Sequence, residues 1–119
     1  MTIFSLEENF KFNGKAITQI CLVVDSLGGL YLAGDVETVK EKYLTEKKYL
    51  LDSGLDKEYP KELFIFDTTN YTTDEKRNLL TFLNYCTTVS ANGDRVMKLI
   101  KASPKEFAME MKVLRNLGF

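Results

Sequence analysis

The chain contains no histidine. That absence removes Ser-His-Asp and Cys-His nucleophilic catalysis, imidazole acid–base chemistry and most transition-metal sites together. Cysteine is scarce: Cys21 and Cys86 are the only two, far apart and each among apolar neighbours. They form no Cys-x-x-Cys pair, so zinc and redox chemistry has no support, and both are expected to be reduced core thiols. Nor is there an excess of basic charge. Sixteen basic and 17 acidic residues, interspersed, give a formal net charge of −1. Such a balance offers no electrostatic footing for nucleic acid. No apolar run approaches the roughly 20 residues of a membrane span. Residues 1–15, with Glu7 and Glu8, lack the regions of a secretory leader, so a cytoplasmic protein is expected. The pair Gly28-Gly29 lacks the G-x-x-x-x-G-K-[ST] pattern of a phosphate loop and precedes a strand-like stretch, so it reads as a turn. No metal and no cofactor is expected. These absences exclude particular chemistries and leave carboxylates, Lys, Tyr and Thr as the groups available to any enzyme.

What is present fits one ordinary globular domain over residues 1–119, 45% hydrophobic and 28% charged, with no repeat or low-complexity tract. A chain of this length buries about two-thirds of its unfolded surface, so it needs neither disulfide nor metal to hold a core. The stretch Leu63-Phe64-Ile65-Phe66 ahead of Asp67 is four apolar residues in a row, bounded by Pro60 and a polar run. It reads as a strand covered on both faces, the central strand of a parallel sheet region flanked by helices. The carboxyl end of such a strand is where functional groups collect, which makes Asp67 a candidate.

The first 34 residues lean towards an antiparallel meander. Ile3–Leu6, Phe10–Phe12, Ala16–Val24 and Leu30–Gly34 are candidate strands, with turns at Asn13-Gly14 and over 25–29. From Val36 to Ser53 the period becomes helical. Val36, Val39, Tyr43 and Leu50 recur on one face, with Leu44 and Leu51 beside them; Asp35 is a natural N-cap and Gly54 a C′ glycine. Thr72-Thr73-Asp74-Glu75 is a capping box, opening a helix over 73–91 with Leu79, Phe82, Leu83, Cys86 and Val89 as its apolar stripe. Asn92-Gly93 ends it, and Arg95–Ala102 reads as a strand. Ser103-Pro104-Lys105-Glu106 starts a last helix, with Ser103 as cap and Phe107, Met111, Leu114 and Leu117 as the buried stripe. The expected fold is therefore α/β, with a mixed sheet and about three principal helices. Asp35, Asp67 and Ser103 would each follow a strand and share one sheet edge, although each also has a plain role as a cap or Asx turn.

This order of pieces resembles the STAS domain, the fold of bacterial anti-sigma-factor antagonists. LYLAGDVETV at 30–39 is similar to that family's strand leading into its first helix. LFIFD at 63–67 is similar to its buried strand ending in aspartate, and GDRVMKLIKASPKEFAMEMKVLRNLGF at 93–119 to its closing strand, Ser-Pro and helix. The resemblance covers residues 16–119. It implies a non-catalytic regulatory module whose partner is a protein of the kinase-like anti-sigma-factor kind, with a regulated surface at Asp67, Thr72, Thr73 and Asp74. The family's Asp-Ser followed by Ser-Gly, at the start of the helix after the central strand, is not matched: Thr72-Thr73-Asp74-Glu75 stands there. A phosphate on Thr72 or Thr73 would meet the helix N-terminus but sit beside Asp74 and Glu75. A second resemblance is to response-regulator receivers. ICLVVD at 20–25 is similar to their first strand, and the likeness implies Asp67 as phosphoacceptor and Lys101 as the accompanying lysine. Asp25 is, however, followed by Ser26 instead of another acid, and too few βα units are present.

Overall fold

The computed structural model describes residues 4–6, 10–12, 14–25, 29–57, 61–88 and 93–119. Strands β1 (Phe4–Leu6), β2 (Phe10–Phe12) and β3 (Lys15–Ala16) make a small antiparallel sheet in that order. Strands β4 (Gln19–Asp25) and β5 (Gly29–Gly34) form a hairpin; helix α1 (Val36–Asp52) then leads to β6 (Lys61–Asp67). The second sheet has the order β5-β4-β6, and both of its pairings are antiparallel. Helices α2 (Thr73–Thr88), α3 (Gly93–Ile100) and α4 (Pro104–Asn116) complete the chain. The α/β class and the antiparallel start are as expected. Gly14, at φ 84°, supplies the left-handed residue of the β2–β3 turn. Asn13, Ser26–Gly28, Pro60, Val89 and Asn92 lie outside the described residues.

The centre of the sheet is a correction. β4, not the stretch 63–67, is the strand buried on both faces, with Ile20 to Val23 at 0% exposure and Val24 at 2%. β6 lies at the edge, paired with β4 from Gln19↔Asp67 to Asp25↔Lys61, and its Ile65 is 47% exposed. The sheet is thus antiparallel at every hydrogen-bonded pair and not mixed; β5 and β6 run parallel but are separated by β4. A run of four apolar residues has no period, so it cannot say how many neighbours a strand will have. The hairpin settles the matter: it delivers β5 to one side of β4 and leaves the other side to β6.

The second correction is Arg95–Ala102, expected as a strand and found largely in the helix α3. Its buried residues are Gly93, Val96 and Leu99, three apart, while Asp94, Arg95 and Lys98 face out. That is a helical period, masked in the sequence by the β-branched Val96 and Ile100. Among the described residues four helices result, with α1, α2 and α4 matching the three expected principal ones. Leu117 also departs from expectation: it is 69% exposed, beyond the last turn of α4, and Met111 and Leu114 carry that helix's burial.

The sheet separates two clusters of unequal size. Ile20, Leu22 and Val24 point to a core shared with Leu79, Phe82, Leu83 and Cys86 of α2, Val96 and Leu99 of α3, and Met111 and Leu114 of α4. Phe10 joins it from the small sheet, and Phe64 and Phe66 pack against it from β6. On the other face Cys21 and Val23 meet Val39 of α1, with Val36, Tyr43 and Leu63 packed around them. The layers close tightly at Gly34: a Cβ there would come within 3.1 Å of the Phe12 ring and 3.3 Å of Val39 Cγ2.

Candidate functional site

The loop from Asp67 into α2 is held by short-range polar chemistry. The Thr69 N–H and hydroxyl both donate to Asp67 Oδ1, at 3.0 and 2.6 Å, closing the Asx turn anticipated from sequence. These bonds, with help from the Gln19 side chain opposite, hold the Asp67 carboxyl below the usual carboxylate range. The next residue, Thr68, is buried and donates both its N–H (2.7 Å) and its hydroxyl (2.9 Å) to the Thr18 carbonyl. The loop is thereby riveted to the chain entering β4. At the helix start, the capping box is present in full: the Thr72 N–H donates to Glu75 Oε1 at 3.1 Å and the Glu75 N–H to Thr72 Oγ1 at 3.2 Å. Thr73 and Asp74 are exposed in the first turn, and Asp74 pairs with Arg77 at 3.6 Å.

Asp67, Thr72, Thr73 and Asp74 are thus all exposed along the short stretch from the end of β6 into α2. Asp35 follows β5 at the same edge of the sheet, one residue past the Gly34↔Cys21 pair, while Asp67 sits opposite Gln19. Two strand spacings place them about 10 Å apart across the sheet. Asp35 caps α1 by accepting from the Thr38 N–H (3.1 Å) and hydroxyl (3.0 Å), which lower its pKa in turn. Ser103 departs from the expected trio, because it follows a helix and not a strand; its hydroxyl accepts the Glu106 N–H at 3.2 Å as the cap of α4. The receiver set is dispersed as well. Asp25 is opposite Lys61, at the far end of β6 from Asp67, about 20 Å along the strand. Lys101 pairs with Glu62 at 4.0 Å, near that same far end.

Beside the Thr72 cap opens a groove of about 300 Å³ that no sequence motif announced. Phe66 of β6, Tyr71 before α2, Leu79, Ile100 and Phe107 give it apolar walls, with Ala102 and Ala108 along it. Two of its polar members are already engaged. Glu75 is the partner of Thr72, and Asn78 accepts from the Arg115 guanidinium at 2.7 Å. The Tyr71 hydroxyl is kept protonated by burial first, then by the charges of Glu75 and Asp67. No buried side-chain nitrogen or oxygen among the described residues lacks a partner, and no cluster of three metal-ligating side chains occurs among them. The groove therefore offers shape and apolar contact. The missed signal was the helical period of 93–100, because α3 and the turn after it build one wall.

Both cysteines are free and buried. Burial raises both thiols, Cys86 to about 12. No helix among the described residues is long and apolar enough to cross a membrane. No protein family, curated protein or solved structure matches the chain.

Proposed function

We propose that this chain is a non-catalytic protein-interaction module, acting in the cytoplasm, whose groove between β6, α2 and the α3–α4 turn receives an apolar side chain of a partner protein. The observation that carries the reading is the pairing of that apolar groove with polar neighbours that already bond within the chain. A catalytic site needs groups poised towards a substrate. Here Asp67, Glu75, Asn78 and Thr72 are engaged in turns, caps and wall contacts. An apolar pocket with a few polar groups at its rim is the common form of a recognition site.

Within that class, the order of elements favours a regulator resembling an anti-sigma-factor antagonist, with a kinase-like anti-sigma factor as the specific partner expected. Support comes from β5 running through Gly34-Asp35 into α1, from β6 ending at Asp67, and from α4 opening at Ser103-Pro104. The helix α3, where that likeness implies a strand, and the antiparallel edge position of β6 weigh against the family while leaving the interaction class untouched. Thr72 and Thr73 are the exposed hydroxyls at which a kinase would switch the surface, since a phosphate on Thr72 replaces the hydroxyl that caps Glu75.

Native capture from the source cell with Ala108→Phe as the control tests the reading. The added ring fills the groove from one wall. A stoichiometric partner retained by the parent and lost by a folded Ala108→Phe variant is the expected result, and the partner's identity decides the sigma-factor assignment. Capture indifferent to Ala108→Phe and to Thr72→Glu overturns the groove. Turnover of a substrate that Asp67→Asn abolishes without unfolding the chain overturns the non-catalytic reading.

A further inference from the structure

β6 ends the second sheet, and no described strand pairs with its outer edge. An edge of this length, with apolar residues along it, is a template for another strand. Its exposed apolar surface lies on the α1 side. Ile65 is 47% exposed, and Leu44 of α1 is 53% exposed. Leu44 follows Tyr43, whose hydroxyl donates to the Lys61 carbonyl at 3.5 Å. It thus stands about 100° round the helix from the residue that reaches β6.

The sequence of β6 specifies what fits there. Lys61-Glu62-Leu63-Phe64-Ile65-Phe66-Asp67 has opposite charges at its two ends and Phe64 at its midpoint. Turned about a two-fold axis through Phe64, a second β6 runs antiparallel to the first with all of its residues paired. Lys61 then stands opposite Asp67 of the second copy, Leu63 opposite Ile65, Glu62 opposite Phe66 and Phe64 opposite itself. Residues directly opposite in an antiparallel pair share a face. The half-exposed Ile65 therefore comes to lie beside a Leu63 on the α1 side, and a Lys–Asp pair closes each end. A shift of the register by one or two residues either way shortens the ladder and sets Lys61 or Asp67 against an apolar or like-charged residue.

We propose that the outer edge of β6 is a homodimerisation surface, joining two copies through β6–β6 pairing centred on Phe64 into a continuous six-stranded sheet of order β5-β4-β6-β6-β4-β5. The partner is a second copy of this chain, and the inference is independent of the groove described above. Because the interface is isologous, the Lys61–Asp67 pair occurs twice.

Sedimentation velocity over a concentration series tests it, with the single variants Lys61→Glu and Asp67→Lys and the double variant carrying both. The parent is expected to show a monomer–dimer equilibrium. Each single substitution sets like charges opposite each other at both ends and weakens association by about tenfold. The double variant restores opposite pairs in the reversed sense and recovers most of the affinity. That recovery separates pairing across the axis from damage to the Asp67 turn, which the double variant carries too. Phe64→Cys supplies an independent readout: directly opposed residues have Cα atoms about 4.5–5.5 Å apart, within disulfide range. An oxidised, disulfide-linked dimer is expected from Phe64→Cys and not from Glu62→Cys, because Glu62 stands opposite Phe66; Cys21 and Cys86 are buried and do not compete. A parent that sediments as a monomer at about 0.5 mM overturns the proposal. So does a dimer that persists equally in both single variants.

Discussion

The two faces of the β5-β4-β6 sheet are built from alternate residues of the same strand, yet they differ in almost every physical respect. Ile20, Leu22 and Val24 face three helices and a core closed by Phe82, Leu83 and Met111. Cys21 and Val23, equally buried, face one helix and a cluster completed by Val39. Large apolar side chains remain at the surface on both sides, Leu44, Tyr49 and Leu51 on α1 and Ile65 on β6, with Met109 and Val113 on α4 of the three-helix layer. One amphipathic helix covers about one stripe of a sheet. Three helices cover the other face and still leave a groove where α2, α3 and β6 diverge. Both candidate surfaces of this chain, groove and edge, thus arise where covering is incomplete.

The contrast can be broken most forcefully by cavity mutants. Leu83→Ala, on the three-helix face, is expected to cost about 2–5 kcal/mol, because helices on several sides cannot all collapse into the void. Val39→Ala removes fewer atoms from a thinner layer and should cost about 1–3 kcal/mol. Phe66→Ala should also cost less than Leu83→Ala, since the groove already leaves the ring half-buried. Urea unfolding of the three variants checks the order, and equal costs would dissolve the distinction between the faces.

The cysteines sharpen it, one lying on each face. Neither thiol should react with a disulfide reagent in the native protein at neutral pH, since both are buried with raised pKa values. Under mild denaturant Cys21, beneath the single helix, is expected to become reactive before Cys86, as mass spectrometry of labelled peptides would reveal. A thiol whose folded pKa lies above its unfolded one stabilises the fold fully below the unfolded value. For Cys86 that contribution is present up to the ordinary value of 9.0 and is lost as pH rises from there towards about 12. A denaturation midpoint that falls over that interval in the parent, and less in Cys86→Ala, would show it.

Helix caps distinguish the faces least. Thr72→Ala, removing the cap of α2, should cost about 1 kcal/mol, and Asp35→Ala at α1 a similar amount. Asp35 and Asp67 both have lowered pKa values, so their contribution is complete above the ordinary carboxylate value of 3.8 and disappears as pH falls below it. Acid titration of Asp35→Asn and Asp67→Asn against the parent should therefore show a smaller decline in stability below that value.

The sequence by itself determined everything that depends on neighbours along the chain. Asp35, Thr72 and Ser103 cap their helices because a side-chain oxygen finds an N–H three residues on, whatever the rest of the fold does. The Asp67–Thr69 turn and the spacing of Val39 with Tyr43, or of Leu79 with Phe82 and Leu83, are local in the same way. Which strand lies at the centre is decided elsewhere. ICLVV and LFIF are equivalent as apolar runs, and only the hairpin that places β5 beside β4 makes one central and the other an edge. The helix at 93–100 was decided by its environment too: β-branched residues favour extension weakly, and burial of Gly93, Val96 and Leu99 against the core overrides that preference. The groove has no local signature at all, because its walls come from β6, α2, α3 and α4, and a gap between helices exists only once they are packed.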